Sequence, residues 1–487
     1  MSDQIRNLEP KAVWNNFANL SEVPRPSKKE EKVIKFIKDF GEGLGLETEV
    51  DKAGNVVIRK PATPGMENRK MVTLQSHLDM VHQKNGDVKI DFAKDPIQLR
   101  IDGQWVKATG TTLGADNGMG VATIMALLQA TDTPHGPLEG LFTIDEETGM
   151  TGAFALQPGF VKGDILLNLD SEDEGELYIG CAGGVDTNVH LRFDTQELPA
   201  NSSALKLRMA GLKGGHSGMD ISLGLGNSNK LMARFLYSLI GKSKVQLATF
   251  AGGTARNAIP RETEAVMVCE ADDLENVRKL AKEFEAILKA EYAAREPNLT
   301  FTAEKADAPY KVLSAKNHKQ LVRALHACIN GVYAMSAEVP GLVETSTNLS
   351  VVKLAKGTCD IYTLQRSSLD SAKLAVAGMV AAAFQLAGAV VRHLGMYPGW
   401  QPDASSEILQ VMKQVYEKQT GKTPAVKAVH AGLECGIIGQ KYPNMELISF
   451  GPTIRGAHSP EERAEIASVQ KFWDYLLETL KEIPVKS

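Results

Sequence analysis

Three scarcities narrow what this chain can be. Cysteine is sparse: Cys181, Cys269, Cys328, Cys359 and Cys435 are scattered through 487 residues, odd in number and without a Cys-x-x-Cys pair. That argues against a disulfide framework and a thiolate zinc site, and favours a reducing compartment. Long apolar runs are missing too. No stretch approaches the ~20 uninterrupted apolar residues of a membrane-spanning helix. The Ala-rich segment from Leu374 to Val391 comes closest, but Lys373 before it and Gln385 within it fit a packed helix better. Nor is there a strong charge of one sign. A formal net charge of -5 on this length gives no electrostatic case for nucleic acid or an anionic membrane surface. The start, Met1-Ser2-Asp3-Gln4-Ile5-Arg6, offers no apolar core and no small-residue cleavage site, so the cytoplasm is the expected location.

What is present is the composition of an ordinary globular protein, 43% hydrophobic and 23% charged. The length is too great for one core, and two domains are expected. Ser27-Lys28-Lys29-Glu30 reads as a capping box before a helix that runs out at Gly41 and Gly43. Short apolar strands follow at Met71–Leu74, Leu138–Ile144, Ile165–Leu169 and Met445–Phe450, with helices between, one of them from about Met119 to Ala130. This pattern predicts an α/β domain with a mixed, largely parallel sheet covered by helices. From Asp186 the strands alternate polar and apolar, as in Ala204 to Met209, which predicts a sheet with one wet face. After about Leu394 the α/β style returns. The expected organisation is 1–185 and 394–487 as one domain, with 186–393 inserted as an α+β domain. No internal repeat or low-complexity tract is visible.

The chemistry-bearing residues share one kind of position. His77 and Asp79 follow the first of these strands, Asp145, Glu146 and Glu147 the second, and Asp170 the third. His458 lies in the loop after the last, and Asp116 opens the helix beginning near Met119. Singly, each has an ordinary reading: Asp116 as an N-cap, Glu146-Glu147 as a solvated turn, Asp170 and His458 as loop residues. Together, five loops bring imidazoles and carboxylates to the carboxyl edge of one sheet, where open α/β sheets bind ligands. Imidazole and carboxylate suit zinc, and one aspartate can bridge two ions. Asp79, two residues from His77, can fix the ring's tautomer. Glycines around Asp116 permit tight backbone geometry at a helix start.

The runs HLDMV (77–81), GTTLGADNG (110–118), DEETGM (145–150), NLDSE (168–172), GGHSG (214–218), RNAIP (256–260) and HSP (458–460) resemble, in order and spacing, the dizinc peptidase family of the bacterial glutamate carboxypeptidases and carnosinases. The segments YPGWQPD (397–403) and HAGLECG (430–436) extend the likeness toward its bacterial cytosolic dipeptidases. The resemblance implies two zinc ions per subunit, with cobalt or manganese as possible substitutes. Asp116 would bridge them, with His77, Glu147, Asp170 and His458 as terminal ligands. Asp79 would orient His77, and Glu146 would be the general base acting on a metal-bridged water. Spacing alone does not choose between Glu146 and Glu147. The inserted domain would be a lid that also forms a homodimer. In it, Arg366 would bind the substrate carboxylate, while His216, from a partner subunit, and Asn257 would contact substrate. Glu434 would lie near the substrate amine. The expected reaction is hydrolysis of dipeptides, Xaa-His substrates of the β-Ala-His type preferred. A tripeptide aminopeptidase or an N-acyl amino acid hydrolase on the same scaffold is the alternative. A binding protein that has lost catalysis fits less well, because no ligand or base is missing; a dizinc phosphoesterase has no use for Arg366.

Overall fold

A computed structural model describes residues 2–486. The chain divides into two compact units. One runs from the N-terminal segment to Gly180 and includes Pro402–Ala428 and the chain from Leu433 onward; the other comprises Cys181–Gln401 and Val429–Gly432. The division therefore falls at 180/181 and 401/402, outside the expected 185/186 and 393/394. The reason is strand pairing. Gly183 already pairs with Ser367, and Val390–Tyr397 continues beside that strand as far as Gly184. The short return at 429–432 had no sequence signal; the Ala182 N–H donates to Val429 O and Ala431 O, both at 3.0 Å.

The first unit is built on an eight-stranded sheet in the order Glu47–Val50, Val56–Lys60, Leu138–Thr143, Val72–His77, Ile165–Asn168, Glu446–Ser449, Glu176–Cys181, Ala425–Val429. Leu138–Thr143, Val72–His77, Ile165–Asn168 and Glu446–Ser449 run parallel, and antiparallel strands flank them. Every residue of Val72–His77, Leu138–Thr143 and Ile165–Asn168 is buried, so both faces of these strands are covered, which explains why their apolar residues do not alternate with polar ones. Val33 and Ile37 of helix Glu31–Gly43, Val121 and Ile124 of Ala115–Gln129, Met412 of Glu407–Thr420 and Leu476 of Ile466–Lys481 complete the core. The parallel strands deliver their carboxyl ends to one edge, and that edge positions the site.

Two local expectations are corrected. The first strand extends through His77, so the imidazole stands on the last strand residue rather than beyond it. The capping box is absent: helix Glu31–Gly43 has no side-chain cap. The Ser27 hydroxyl instead donates to Met80 O at 3.2 Å, and Glu30 Oε1 accepts the Lys28 N–H at 2.8 Å. The serine is used to tie its loop to the 79–80 segment.

The second unit is an antiparallel sheet of two matching lobes. Ser202–Ala210, helix Ser228–Ser238, Gln246–Gly252, Thr263–Glu270, helix Leu274–Glu291 and Thr300–Lys305 form one βαββαβ run. Gly183–Arg192, helix Ala315–Ala327, Val343–Ala355, Thr358–Ser367, helix Asp370–Gln385 and Val390–Tyr397 form the other. Across the sheet the lobes read fourth-first-third-second and then second-third-first-fourth. Their second strands join antiparallel, with Phe250 opposite Leu354. This repeat is invisible in the sequence because each lobe needs only an apolar pattern, and one lobe interrupts the other between its first strand and first helix.

Candidate active site

The first unit gathers all five expected metal ligands. His77 Nε2 lies 3.1 Å from Asp116 Oδ1 and 3.3 Å from Asp170 Oδ1. His458 Nε2 lies 3.1 Å from Asp116 Oδ2 and 3.0 Å from Glu147 Oε2. Asp116 thus turns one oxygen toward each group, and two triads, His77-Asp116-Asp170 and Asp116-Glu147-His458, share it; within each, the donor atoms lie within 4.8 Å of one another. Glu146 joins His77 and Glu147 in a third cluster of the same spread. His458 is held at φ +62°, a left-handed conformation that a histidine adopts at a cost and that is commonest at functional sites.

Asp79 is fully buried and does more than orient His77. Its Oδ1 is 3.3 Å from His77 Nδ1 and accepts the Glu146 N–H at 3.0 Å, while Oδ2 accepts the Glu147 N–H at 3.3 Å. One carboxylate therefore aims a ligand and pins the backbone of the two glutamates.

Several supporting residues escaped the sequence reading. Glu462, 2% exposed, accepts four successive N–H groups: Leu113 at 2.7 Å and Gly114 at 3.0 Å on Oε2, Ala115 at 2.7 Å and Asp116 at 3.1 Å on Oε1. A carboxylate at these orphan N–H groups is favourable, and it links the His458 loop to the Asp116 loop. Buried Arg25 donates to Leu78 O at 3.0 Å, Asp79 O at 3.1 Å and Gly114 O. Gly114 stands at φ +69°, and a Cβ there would meet the Arg25 guanidinium at 2.6 Å, so glycine is required for two reasons. Asn117 Nδ2 donates to Asp170 Oδ1. Glu434, 1% exposed, accepts from Gln75 at 2.6 Å and Thr143 at 2.8 Å through Oε2, leaving Oε1 without a partner. Glu434 was expected from its motif, and Gly114 and Asn117 lie inside GTTLGADNG without these contacts read for them; Arg25 and Glu462 act through backbone groups, which no side-chain pattern advertises.

The electrostatics favour cations here. Hydrogen bonds to Asp116 and Glu147 push His458 up to about 11. Burial lowers His77, yet Asp170, Asp116 and Asp79 outweigh it and raise the ring well above its ordinary value. Burial alone would raise Asp116, but its hydrogen bonds to His458 and His77 hold it well below the usual carboxylate range. Asp170 is pushed up to about 6 by burial, against the pull of His77. Burial also drives Glu146 well above the usual carboxylate range. Carboxylates this close and this dry need positive charge among them. Glu147 Oε1 is buried with no hydrogen-bond partner, a cost that a metal ion removes. The oxygen and imidazole donor set, its spread and this orphaned oxygen all fit divalent ions.

His216, Asn257 and Arg366 belong to the second unit. His216 pairs with Ala258 in a short ribbon, and Ser217 N–H donates to Asn257 O at 2.8 Å. His216 Nδ1 accepts the N–H groups of Gly218 at 3.2 Å and Met219 at 3.1 Å. That network assigns the proton to Nε2, leaving an N–H donor. Burial, then the Arg366 charge, lowers its pKa and keeps the ring neutral. Arg366 is 5% exposed; it donates to the Tyr397 hydroxyl at 2.8 Å, and its Nε has no partner. Buried His430 bonds Ser346 Oγ at 2.7 Å and is lowered to about 3 by burial and the Arg366 charge.

Comparison with known proteins shows the family. Residues 73–482 match the model of peptidase family M20/M25/M40. The chain is 47% identical over 483 residues to the cytosol non-specific dipeptidase of Escherichia coli K12, covering 99% of this chain and 100% of that protein. It superposes on the crystal structure of aminoacylhistidine dipeptidase from Vibrio alginolyticus with a TM-score of 0.95 at 45% identity, covering 100% of both chains. The aminopeptidase PepT from Bacillus cereus, at TM-score 0.58 and 16% identity over 98% of this chain and 99% of that one, shares the fold. With the family match spanning most of the chain and both close relatives matching over their whole length, this protein is a peptide-bond hydrolase that belongs to peptidase family M20/M25/M40.

Proposed function

We propose that the protein is a zinc-dependent dipeptidase that prefers Xaa-His substrates of the β-Ala-His type. The observation that carries the reading is Asp116, whose two carboxylate oxygens each face a separate His-carboxylate group. His77, Asp116 and Asp170 would hold one zinc ion, and Asp116, Glu147 and His458 the other. Such ions supply Lewis acidity toward a carbonyl oxygen and lower the pKa of water. Cobalt or manganese can occupy the same donor set.

Glu146 is assigned as the general base. Its carboxylate lies beside His77 and Glu147, while its backbone N–H is held by Asp79. It takes the proton of the attacking water and returns it to the leaving amine. Asp79 keeps His77 and the 146–147 backbone in register. Glu434 presents an unpartnered buried oxygen suited to the substrate ammonium. The second unit is assigned as the lid, which closes over substrate and carries the homodimer contact, with the first as the catalytic domain. Arg366 would pair with the substrate carboxylate, His216 Nε2–H would donate to the oxyanion from a partner subunit, and Asn257 would contact the peptide. The names of both close relatives support dipeptide hydrolysis, that of the Vibrio relative supports aminoacyl-histidine substrates, and that of the Escherichia coli relative supports a cytosolic location. No helix among the described residues is long and apolar enough to cross a membrane.

Hydrolysis of a matched set tests the reading: β-Ala-His, Gly-His, Gly-Leu, a Gly-Gly-His tripeptide and N-acetylhistidine. The two Xaa-His dipeptides should give the highest kcat/KM. Faster turnover of the tripeptide or the N-acetyl compound would transfer the assignment to a tripeptide aminopeptidase or an N-acyl amino acid hydrolase.

A further inference from the structure

Arg366 is a nearly buried guanidinium set beside neutral groups. Its partner at 2.8 Å is the Tyr397 hydroxyl, and burial raises that phenol, so a cation faces an uncharged acceptor. His216 and His430 are kept neutral by burial and then by the Arg366 charge. Among the described residues no carboxylate forms an ion pair with Arg366. A guanidinium stays charged, and in so dry a place it calls for an anion. Until an anion arrives, the phenol is what aims it.

Strand register explains how the phenol reaches it. Ser346, Arg366, Gly184 and Tyr397 stand opposite one another in the adjacent strands Val343–Ala355, Thr358–Ser367, Gly183–Arg192 and Val390–Tyr397. Arg366 and Tyr397 are therefore two strands apart, about 10 Å between backbones. A side chain at the intervening position would fill that gap: a Cβ on Gly184 would lie 2.5–2.6 Å from the Tyr397 ring and hydroxyl. Glycine lets the ring lie across the strand, an aromatic covering a glycine. The other end of Tyr397 is fixed as well. Lys373, 1% exposed, donates to Tyr397 O and, at 2.7 Å, to Asp370 Oδ1, and the same oxygen accepts the Gly399 N–H at 3.1 Å. Helix Asp370–Gln385 thus holds the strand end from which the hydroxyl reaches Arg366.

We propose that Tyr397 is a positioning residue for substrate: its hydroxyl aims the Arg366 guanidinium at the C-terminal carboxylate of the peptide, across the gap that Gly184 leaves. The inference rests on the assignment of Arg366 to the substrate carboxylate and adds the residue that sets the direction of its charge. A guanidinium binds a carboxylate through a planar fork of N–H groups, so its orientation matters as well as its charge. Tyr397 acts through Arg366 and takes no part in the chemistry at the metal centre.

Steady-state kinetics of the metal-loaded full-length enzyme with Gly-Leu and with its C-terminal amide test this, in the wild type, Tyr397→Phe and Arg366→Ala. Tyr397→Phe should raise KM for Gly-Leu about three- to tenfold, the weight of one hydrogen bond, while kcat stays within about twofold. For the amide, which offers no charge to aim at, kcat/KM (or Ki where turnover is slow) should stay within about twofold of the wild type. A general loosening of the fold would instead weaken acid and amide alike. Arg366→Ala should raise KM for Gly-Leu at least as much and also spare the amide. Tyr397→Leu is the second variant if Tyr397→Phe is poorly folded, with the same split expected. With Arg366→Ala discriminating acid from amide as expected, three results would each overturn the role of Tyr397: equal losses on both compounds, an unchanged or lower KM for Gly-Leu in the folded variant, or a loss confined to kcat. If Arg366→Ala itself fails to discriminate, the assignment of Arg366 falls, and the role of Tyr397 falls with it.

Discussion

Asp79 shows how much one side chain can decide. It is fully buried, and its oxygens serve an imidazole and two backbone amides at once. Asp79→Ala should therefore weaken metal binding about 10–100-fold, as loss of a carboxylate behind a ligating histidine does elsewhere; competition with a chromogenic chelator measures it. Glu146→Ala separates binding from chemistry. That variant should retain both metal ions by elemental analysis and lose about 10²–10⁴ in kcat, the usual contribution of a general base. Near-normal turnover would move the base elsewhere. Both residues were legible in the sequence, because acids and histidines at strand ends stand out even without coordinates. Arg25 and Glu462 were not. Their partners are carbonyls and amides of distant loops, such as Gly114 O and the Leu113–Asp116 amides, and a backbone group leaves no trace in residue type.

At the scale of elements, the site depends on how closely helix Ala115–Gln129 approaches the strand ends. Gly120 sits at that approach. A Cβ there would fall on Asn117 Oδ1 and Ser76 Oγ and within 2.8 Å of Leu169 O. Gly120→Ala should destabilise the protein by about 1–3 kcal/mol through overpacking. It should also loosen metal binding, because Asn117 holds Asp170. Denaturant unfolding and chelator competition, run together, check both effects. The four parallel strands and their helices were readable from apolar runs and spacing, but the ends were not. The Val72–His77 strand outruns its apolar core by three residues, Gln75, Ser76 and His77; Gln75 donates to Thr143 and Glu434, and His77 meets Asp79, Asp116 and Asp170, so these polar side chains can stay in the ladder. The capping box failed for the converse reason: Ser27 found a tertiary partner in Met80 O.

For the whole molecule, the sparse cysteines and the interrupted chain order acquire a physical meaning. All five cysteines are buried, and burial pushes Cys269 and Cys328 up to about 11. The native enzyme should react negligibly with a soluble thiol reagent, and should titrate all five thiols once unfolded. The insertion was visible as a change from continuous to alternating strands, whereas its division into two matching lobes was not, because that symmetry lives in strand order and not in residue identity. The central claim is that two metal ions, held by His77, Asp116, Glu147, Asp170 and His458, make this chain a dipeptidase. The most direct test is β-Ala-His hydrolysis followed through removal of metal by a chelator, verified by elemental analysis, and stepwise return of zinc. Activity should vanish on removal and return to a plateau at two zinc ions per chain. Undiminished hydrolysis by protein shown to be free of metal would contradict it.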